Sequence, residues 1–165
     1  LKGFSFAFAI VFLACSAAFS VDPKGKDYSK YRGAAVITPN QREAAEACNF
    51  EENGSDLVER AGTKLLDDLA VDAVLITQGE KGMTLFQNSL EPVNFAAAAR
   101  EVYDVTGAGD TVIATLATAI GAGANMETAA RLANIAAGLV VEQVGTSAVN
   151  LADLRRAAES LASSE

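Results

Sequence analysis

The chain has 165 residues and half of them are apolar, so it suits a single domain with a sizeable buried core. Its 21 Asp and Glu residues outnumber its 13 Lys and Arg residues. The resulting net charge of −8 argues against a nucleic-acid partner, because phosphate backbones repel such a surface. The absence of His excludes a Ser–His–Asp triad, a His metal site and a His general base. Acid–base chemistry therefore falls to Asp, Glu, Lys, Tyr or Cys.

The first twenty residues differ in composition from the rest of the chain. Residues 6–15 form an unbroken apolar run, which is short for a membrane span and similar to the apolar part of a secretion signal. A buried helix or strand and a segment foreign to the fold are the other interpretations. We therefore separate residues 1–20, an apolar N-terminal segment, from residues 21–165, which carry the predicted domain.

Strand-like and helix-like segments alternate from Val21 onward, which favours a layered α/β fold. Apolar runs predict strands at residues 34–38, 73–77 and 83–86, with short edge strands near 93–95 and 101–103. Helical patterns predict helices at residues 40–48, 55–70, 110–122, 126–144 and 151–162, with Ser55 and Asn150 as N-caps. The turn-forming residues 79–82 predict a hairpin between two of the strands.

Chemistry is most strongly indicated by the string Asp-Val-Thr-Gly-Ala-Gly-Asp at residues 104–110, directly before an apolar helix. Gly107, Ala108 and Gly109 allow a close backbone approach, and free N–H groups at a helix start attract anions, so these residues form a predicted anion hole. The carboxylate of Asp110 would repel a phosphate that is merely bound. It suits a base that takes a proton from an attacking hydroxyl. The alternative is an ordinary turn with Asp110 as an N-cap.

This string resembles the signature of the ribokinase-like (PfkB-type) carbohydrate kinases. Three further segments fall in that family's order: Asn40-Gln41-Arg42-Glu43, the Thr-x-Gly-x-x-Gly turn at residues 77–82, and residues 133–138, which are followed by Gly145. Taken singly, these three segments also suit a helix start, a hairpin turn and a helix interior. Together with the string they identify the chain as similar to this family over about residues 21–161.

The resemblance implies a three-layer α/β/α fold, ATP and Mg²⁺ as cofactors, and a small-molecule sugar phosphate as the second substrate. It makes Asp110 the catalytic base beside the anion hole. The implied ATP-binding residues are Asn40, Gln41, Arg42, Glu43, Thr77, Gly79, Gly82, Asn134 and Gly145. Asn40 and Glu43 would order Mg²⁺ through water, and Asp104 and Thr106 would contact the substrate.

Within the family, residues 21–25, 101–113 and 144–147 are closest to the branch that phosphorylates heptose 7-phosphate. That branch transfers the γ-phosphoryl group of ATP to the sugar 1-hydroxyl, on the route to ADP-heptose for the lipopolysaccharide core. The matching residues correspond to the C-terminal, nucleotide-binding half of the family's kinase domain. We therefore expect a partial kinase domain with impaired activity.

Two other interpretations remain open. One is a nucleotide-binding fragment without catalysis. The other is an exported or membrane-tethered protein that uses residues 1–20, although a kinase needs the ATP of the cytoplasm. The resemblance thus implies a cytoplasmic enzyme without a membrane partner, and a homodimer is a possible assembly of the intact enzyme.

Overall fold

The computed structural model describes residues 20–51, 54–99, 103–143 and 148–162. The apolar residues 1–19, Gly145 and most of the predicted edge strand at 101–103 lie outside the described residues.

Within the described residues, five strands form one mixed sheet in the order β1-β2-β3-β4-β5. They are β1 (Ser20–Val21), β2 (Val36–Ile37), β3 (Ala73–Thr77), β4 (Met83–Gln87) and β5 (Val93–Phe95). The first three strands run parallel, with Ser20 opposite Val36 and Val36 opposite Ala73. β4 pairs antiparallel with β3, which confirms the predicted hairpin, and β5 pairs antiparallel with β4. The carboxyl ends of the three parallel strands therefore meet at one edge of the sheet.

β3 lies at the centre of the sheet because its side chains are apolar on both faces. Val74 and Ile76 pack into one core, whereas Ala73 and Leu75 pack into the other. All four are fully buried. A strand buried on both faces needs a layer of helices on each side.

Two helix pairs supply these layers. α1 (Gln41–Cys48) and α2 (Leu57–Leu69) cover the face that carries Val74, and α3 (Ala108–Gly121) and α4 (Met126–Val141) cover the opposite face. α5 (Leu151–Ala162) follows them. The three-layer α/β/α architecture predicted from the sequence is thus confirmed. In the described part of the chain, no helix is both long and apolar enough to cross a membrane.

Several element boundaries differ from the predictions, and α4 ends at Val141, three residues before the predicted end at residue 144. α2 begins at Leu57, and Asp56 rather than Ser55 holds the N-cap position, without a side-chain capping bond. α3 begins at Ala108, two residues earlier than predicted, so the glycine-rich string enters the first turn of the helix. The strand predicted at residues 34–38 is confined to Val36–Ile37. The predicted cap of α5 is confirmed, since Asn150 Oδ1 accepts a hydrogen bond from Ala152 N at 2.9 Å.

Candidate active site

A cavity of about 200 Å³ lies at the edge where the parallel strands end, which is where open α/β sheets bind ligands. It collects residues from segments that are far apart in the sequence. They are Asp22, Lys24, Thr38, Asn40, Glu43, Thr77, Gly107, Gly109, Asp110 and Val112. Three of the four segments that resemble the kinase family therefore contribute to one cavity.

Asn40 and Glu43 enter the cavity through the start of α1. Asn40 Oδ1 accepts a hydrogen bond from Glu43 N at 2.9 Å, and Glu43 Oε2 accepts one from Asn40 N at 2.9 Å. This reciprocal capping box satisfies two donors that the helix itself cannot. It also fixes both side chains beside the cavity.

The glycine-rich loop is shaped by two local interactions. Asp104 Oδ1 accepts a hydrogen bond from Thr106 N at 2.8 Å, and Thr111 donates from both its N–H and its Oγ1 to Gly107 O at 2.9 Å. Gly107 is the N-cap of α3 with φ of 83°, a left-handed conformation that glycine adopts without strain. Asp104 and Thr106 therefore stabilise the conformation of the loop. Neither residue is among those that line the cavity.

Asp110 is the third residue of α3, exposed and on the cavity lining. Gly107 and Gly109 lie beside it on the same lining. Ala108 is not among the lining residues, and its N–H donates to Val105 O at 3.2 Å. We therefore expect the backbone N–H groups that face the cavity to be those of Gly107 and Gly109. The helix dipole also favours an anion at this position.

Lys24 brings positive charge to the cavity. Its Nζ lies 3.0 Å from Asp22 Oδ2 and 3.2 Å from Glu43 Oε1. Its hydrogen bond to Asp22 is the main cause that raises the pKa of Lys24, with a smaller contribution from Glu43 and against an opposing effect of burial. The lysine consequently stays charged at neutral pH.

Thr77 joins the site at the end of β3. Its N–H donates to Pro39 O at 3.0 Å, which ties this strand end to the residue before Asn40. The glycine turn follows directly, with a 3₁₀ turn at Gly79–Lys81 and a hydrogen bond from Gln78 N to Gly82 O at 2.8 Å. Gly79 and Gly82 belong to this turn, and neither is among the residues that line the cavity.

Other predicted nucleotide residues lie elsewhere. Gln41 lines a separate cavity of about 420 Å³, on the side of the sheet that α2 covers. Arg42 is exposed, and its Nε lies 3.0 Å from Glu46 Oε1. Asn134 Nδ2 donates to Ala96 O at 2.7 Å and so joins α4 to the segment after β5. The structure does not bring these three side chains into the cavity around Asp110.

Sequence reasoning assigned no role to Asp22, Lys24, Thr38 or Val112, although all four line the cavity. The position of Asp22 directly after β1 could have indicated that it lies at the site, because β1 ends at the same sheet edge as β2 and β3. Thr38 follows β2 in the same way, and its N–H donates to Val21 O at 2.9 Å.

The oxygen donors around the cavity suit Mg²⁺ held through water. Mg²⁺ prefers carboxylate and amide oxygens and usually keeps several of its waters. Asn40, Asp22 and Glu43 supply such donors, but both Glu43 oxygens already accept hydrogen bonds from the chain. Among the described residues, no group of three or more His, Cys, Asp or Glu side chains could hold a metal directly.

Two curated proteins are similar to most of this chain. The chain is 51% identical over 138 residues to "Bifunctional protein HldE" of Desulfatibacillum aliphaticivorans, and 51% identical over 140 residues to the protein of the same name from Shewanella amazonensis. These matches cover 84% and 85% of this chain but only 28% and 29% of the relatives. The chain therefore spans less than a third of the length of these curated relatives.

Solved structures share the fold. Phosphofructokinase-2 from Escherichia coli, in complex with potassium, matches 87% of this chain and 47% of its own with a TM-score of 0.78, at 19% identity. Ribokinase from Arabidopsis thaliana, complexed with ribose and ATP, matches 75% of this chain and 40% of its own with a TM-score of 0.68, at 29% identity.

The sequence profile of the pfkB family carbohydrate kinases matches residues 6–153. The match begins inside the apolar N-terminal segment, and the division at residue 20 stays a prediction. Since the profile spans most of the chain, and its glycine-rich loop and Asn-x-x-Glu segment share one cavity, the chain belongs to the pfkB family of carbohydrate kinases.

Proposed function

We propose that the protein is an ATP-dependent sugar-phosphate kinase that transfers the γ-phosphoryl group of ATP to the 1-hydroxyl of heptose 7-phosphate. Family membership and the HldE relatives support sugar phosphorylation. The similarity of residues 101–113 to heptose 7-phosphate kinases supports this acceptor. The observation that carries the proposal is the shared cavity of Asp110, Asn40 and Glu43.

In this reaction Asp110 takes the proton of the acceptor hydroxyl while the hydroxyl oxygen attacks the γ-phosphorus. The bond between that phosphorus and the bridging oxygen breaks, and ADP leaves. The N–H groups of Gly107 and Gly109 would stabilise the negative charge on the transferring group. Asn40 and Thr77 would position the nucleotide from the ends of the neighbouring elements.

Mg²⁺ would supply charge neutralisation at this site. Among the described residues, three carboxylates line the cavity against one ammonium, so a triphosphate entering alone would meet a repulsive field. Asn40 and Glu43 are the residues that would hold the hydrated ion. Without the ion we expect ATP affinity to fall steeply.

The acceptor is tested by a coupled assay of ADP formation on the full chain, with heptose 7-phosphate, fructose 6-phosphate and ribose compared under the same conditions. We expect heptose 7-phosphate to be preferred. Phosphorus NMR of the product should show a new phosphate on the carbon-1 oxygen. Transfer to another sugar, or to another hydroxyl, would contradict the proposed acceptor.

A second candidate is nucleotide binding without transfer. The cavity of about 200 Å³ suits a polyphosphate tail and is smaller than most small-molecule sites, which measure roughly 300–1,000 Å³. Isothermal titration with ATP and Mg²⁺ separates the candidates. Binding with no transfer to any acceptor would favour the second, and binding with transfer would favour the kinase.

A further inference from the structure

Lys24 is the cationic member of the cavity around Asp110. Of the described residues that line this cavity, Asp22, Glu43 and Asp110 are acidic and only Lys24 is basic. A polyphosphate brings further negative charge into the same space. The position and charge of one ammonium can therefore influence strongly how such a ligand is held.

The backbone of Lys24 is anchored by a tyrosine pair. Lys24 N donates to Tyr31 Oη at 3.0 Å. The Tyr31 ring packs edge-on against Tyr28, with 5.7 Å between the ring centroids, and Tyr28 is only 4% exposed. This contact fixes the loop after β1 to the core.

The ammonium is also held by its side-chain contacts. Asp22 and Glu43 accept from Nζ at 3.0 and 3.2 Å, and an ammonium has three N–H donors. The side chain is 67% exposed and lines the cavity, so the ammonium is accessible to a ligand there. A phosphate oxygen is the acceptor that best suits a charged donor placed in this way.

We propose that Lys24 binds the γ-phosphoryl group of ATP and holds it near Asp110. This inference rests on the proposed function and adds a residue to it. The carboxylates of Asp22 and Glu43 would keep the ammonium in place before ATP arrives. A purely structural lysine would instead only tie the loop after β1 to α1, and it would not distinguish ATP from ADP.

Isothermal titration with ATP and with ADP, each in excess Mg²⁺, tests the proposal on the full chain. Removing one charge-assisted hydrogen bond in Lys24→Met should weaken ATP binding about 10- to 100-fold and change ADP binding by less than about threefold. Lys24→Arg keeps the charge and should retain most of the preference for ATP. Lys26→Met, an exposed lysine of the same loop that does not line the cavity, is the matched control and should behave as the wild type.

Two outcomes would overturn the inference. If Lys24→Met weakens ATP and ADP equally, or weakens neither, Lys24 does not contact the γ-phosphoryl group, while the proposed kinase function still stands. If the wild-type chain binds neither nucleotide, both the role of Lys24 and the proposed function fail.

Discussion

Gly82 shows how a single residue fixes the hairpin beside the site. It is buried, its φ is 87°, and a Cβ added there would lie 1.9 Å from Phe95 O. Gly79 also has a positive φ, of 60°, but a Cβ there would meet nothing within 4 Å. The two glycines of the turn therefore have different roles. Glycine at position 82 permits the close approach of the Phe95 backbone, whereas glycine at position 79 is favoured only because of the left-handed backbone conformation there.

We expect Gly82→Ala to lower the free energy of unfolding by about 3 kcal/mol, because a left-handed backbone strain adds to a steric collision. Gly79→Ala has the strain alone and should cost about 1 kcal/mol. Urea denaturation of both variants measures the difference. Equal losses would show that β5 moves away from Gly82 without cost.

At the scale of the element, the sequence predicted the helices well because their signals are local. The Asn150 start of α5 is an example, because a capping residue is followed there by an amphipathic pattern. Lys24 could not be found in this way, since a lysine in an exposed loop has no periodic pattern. Its role depends on Glu43, nineteen residues further along the chain.

Two caps provide a matched pair of variants. Asn40 Oδ1 accepts from Glu43 N at 2.9 Å, and Asn125 Oδ1 accepts from Thr128 N at 2.8 Å. Asn40→Ala and Asn125→Ala should each lower the free energy of unfolding by about 1 kcal/mol.

Only Asn40 lines the cavity, so only Asn40→Ala should also weaken ATP binding. Urea denaturation and isothermal titration of both variants check this pair of effects. Unchanged ATP affinity in Asn40→Ala would remove Asn40 from the nucleotide site.

At the scale of the molecule, the site exists because the fold brings three parallel strand ends to one edge. The sequence predicted the layers, but it could not show which motif residues face the same cavity. Asn134 illustrates this, because its amide is bound by Ala96 O, thirty-eight residues away. Gly138 lies where an added Cβ would be 2.9 Å from Ala99 N. Neither partner is predictable from local pattern, because both lie in an alanine-rich segment without periodicity.

Whole-chain stability should fall in alkaline solution because of Cys48. Burial raises the pKa of this thiol from its ordinary value of 9.0 to about 11. The folded state therefore keeps the proton more tightly than the unfolded state, and the associated stability is present below pH 9 and lost between about pH 9 and 11.

We expect the wild type to lose about 2 kcal/mol more than Cys48→Ala between pH 8 and pH 10.5, as measured by urea denaturation. Buried Tyr28, whose pKa burial also raises, adds a loss above about pH 10 that both proteins share. The same pH dependence in the two proteins would show that Cys48 does not cause the loss.

The most direct measurement of the proposed chemistry is the turnover of Asp110→Asn with ATP, Mg²⁺ and heptose 7-phosphate, with ATP affinity determined on the same protein. The substitution keeps the shape of the side chain and removes the base. We expect turnover to fall about 10²- to 10⁴-fold, while the dissociation constant for ATP changes by less than about threefold. Turnover equal to that of the wild type would contradict the role of Asp110 as the base that deprotonates the acceptor hydroxyl.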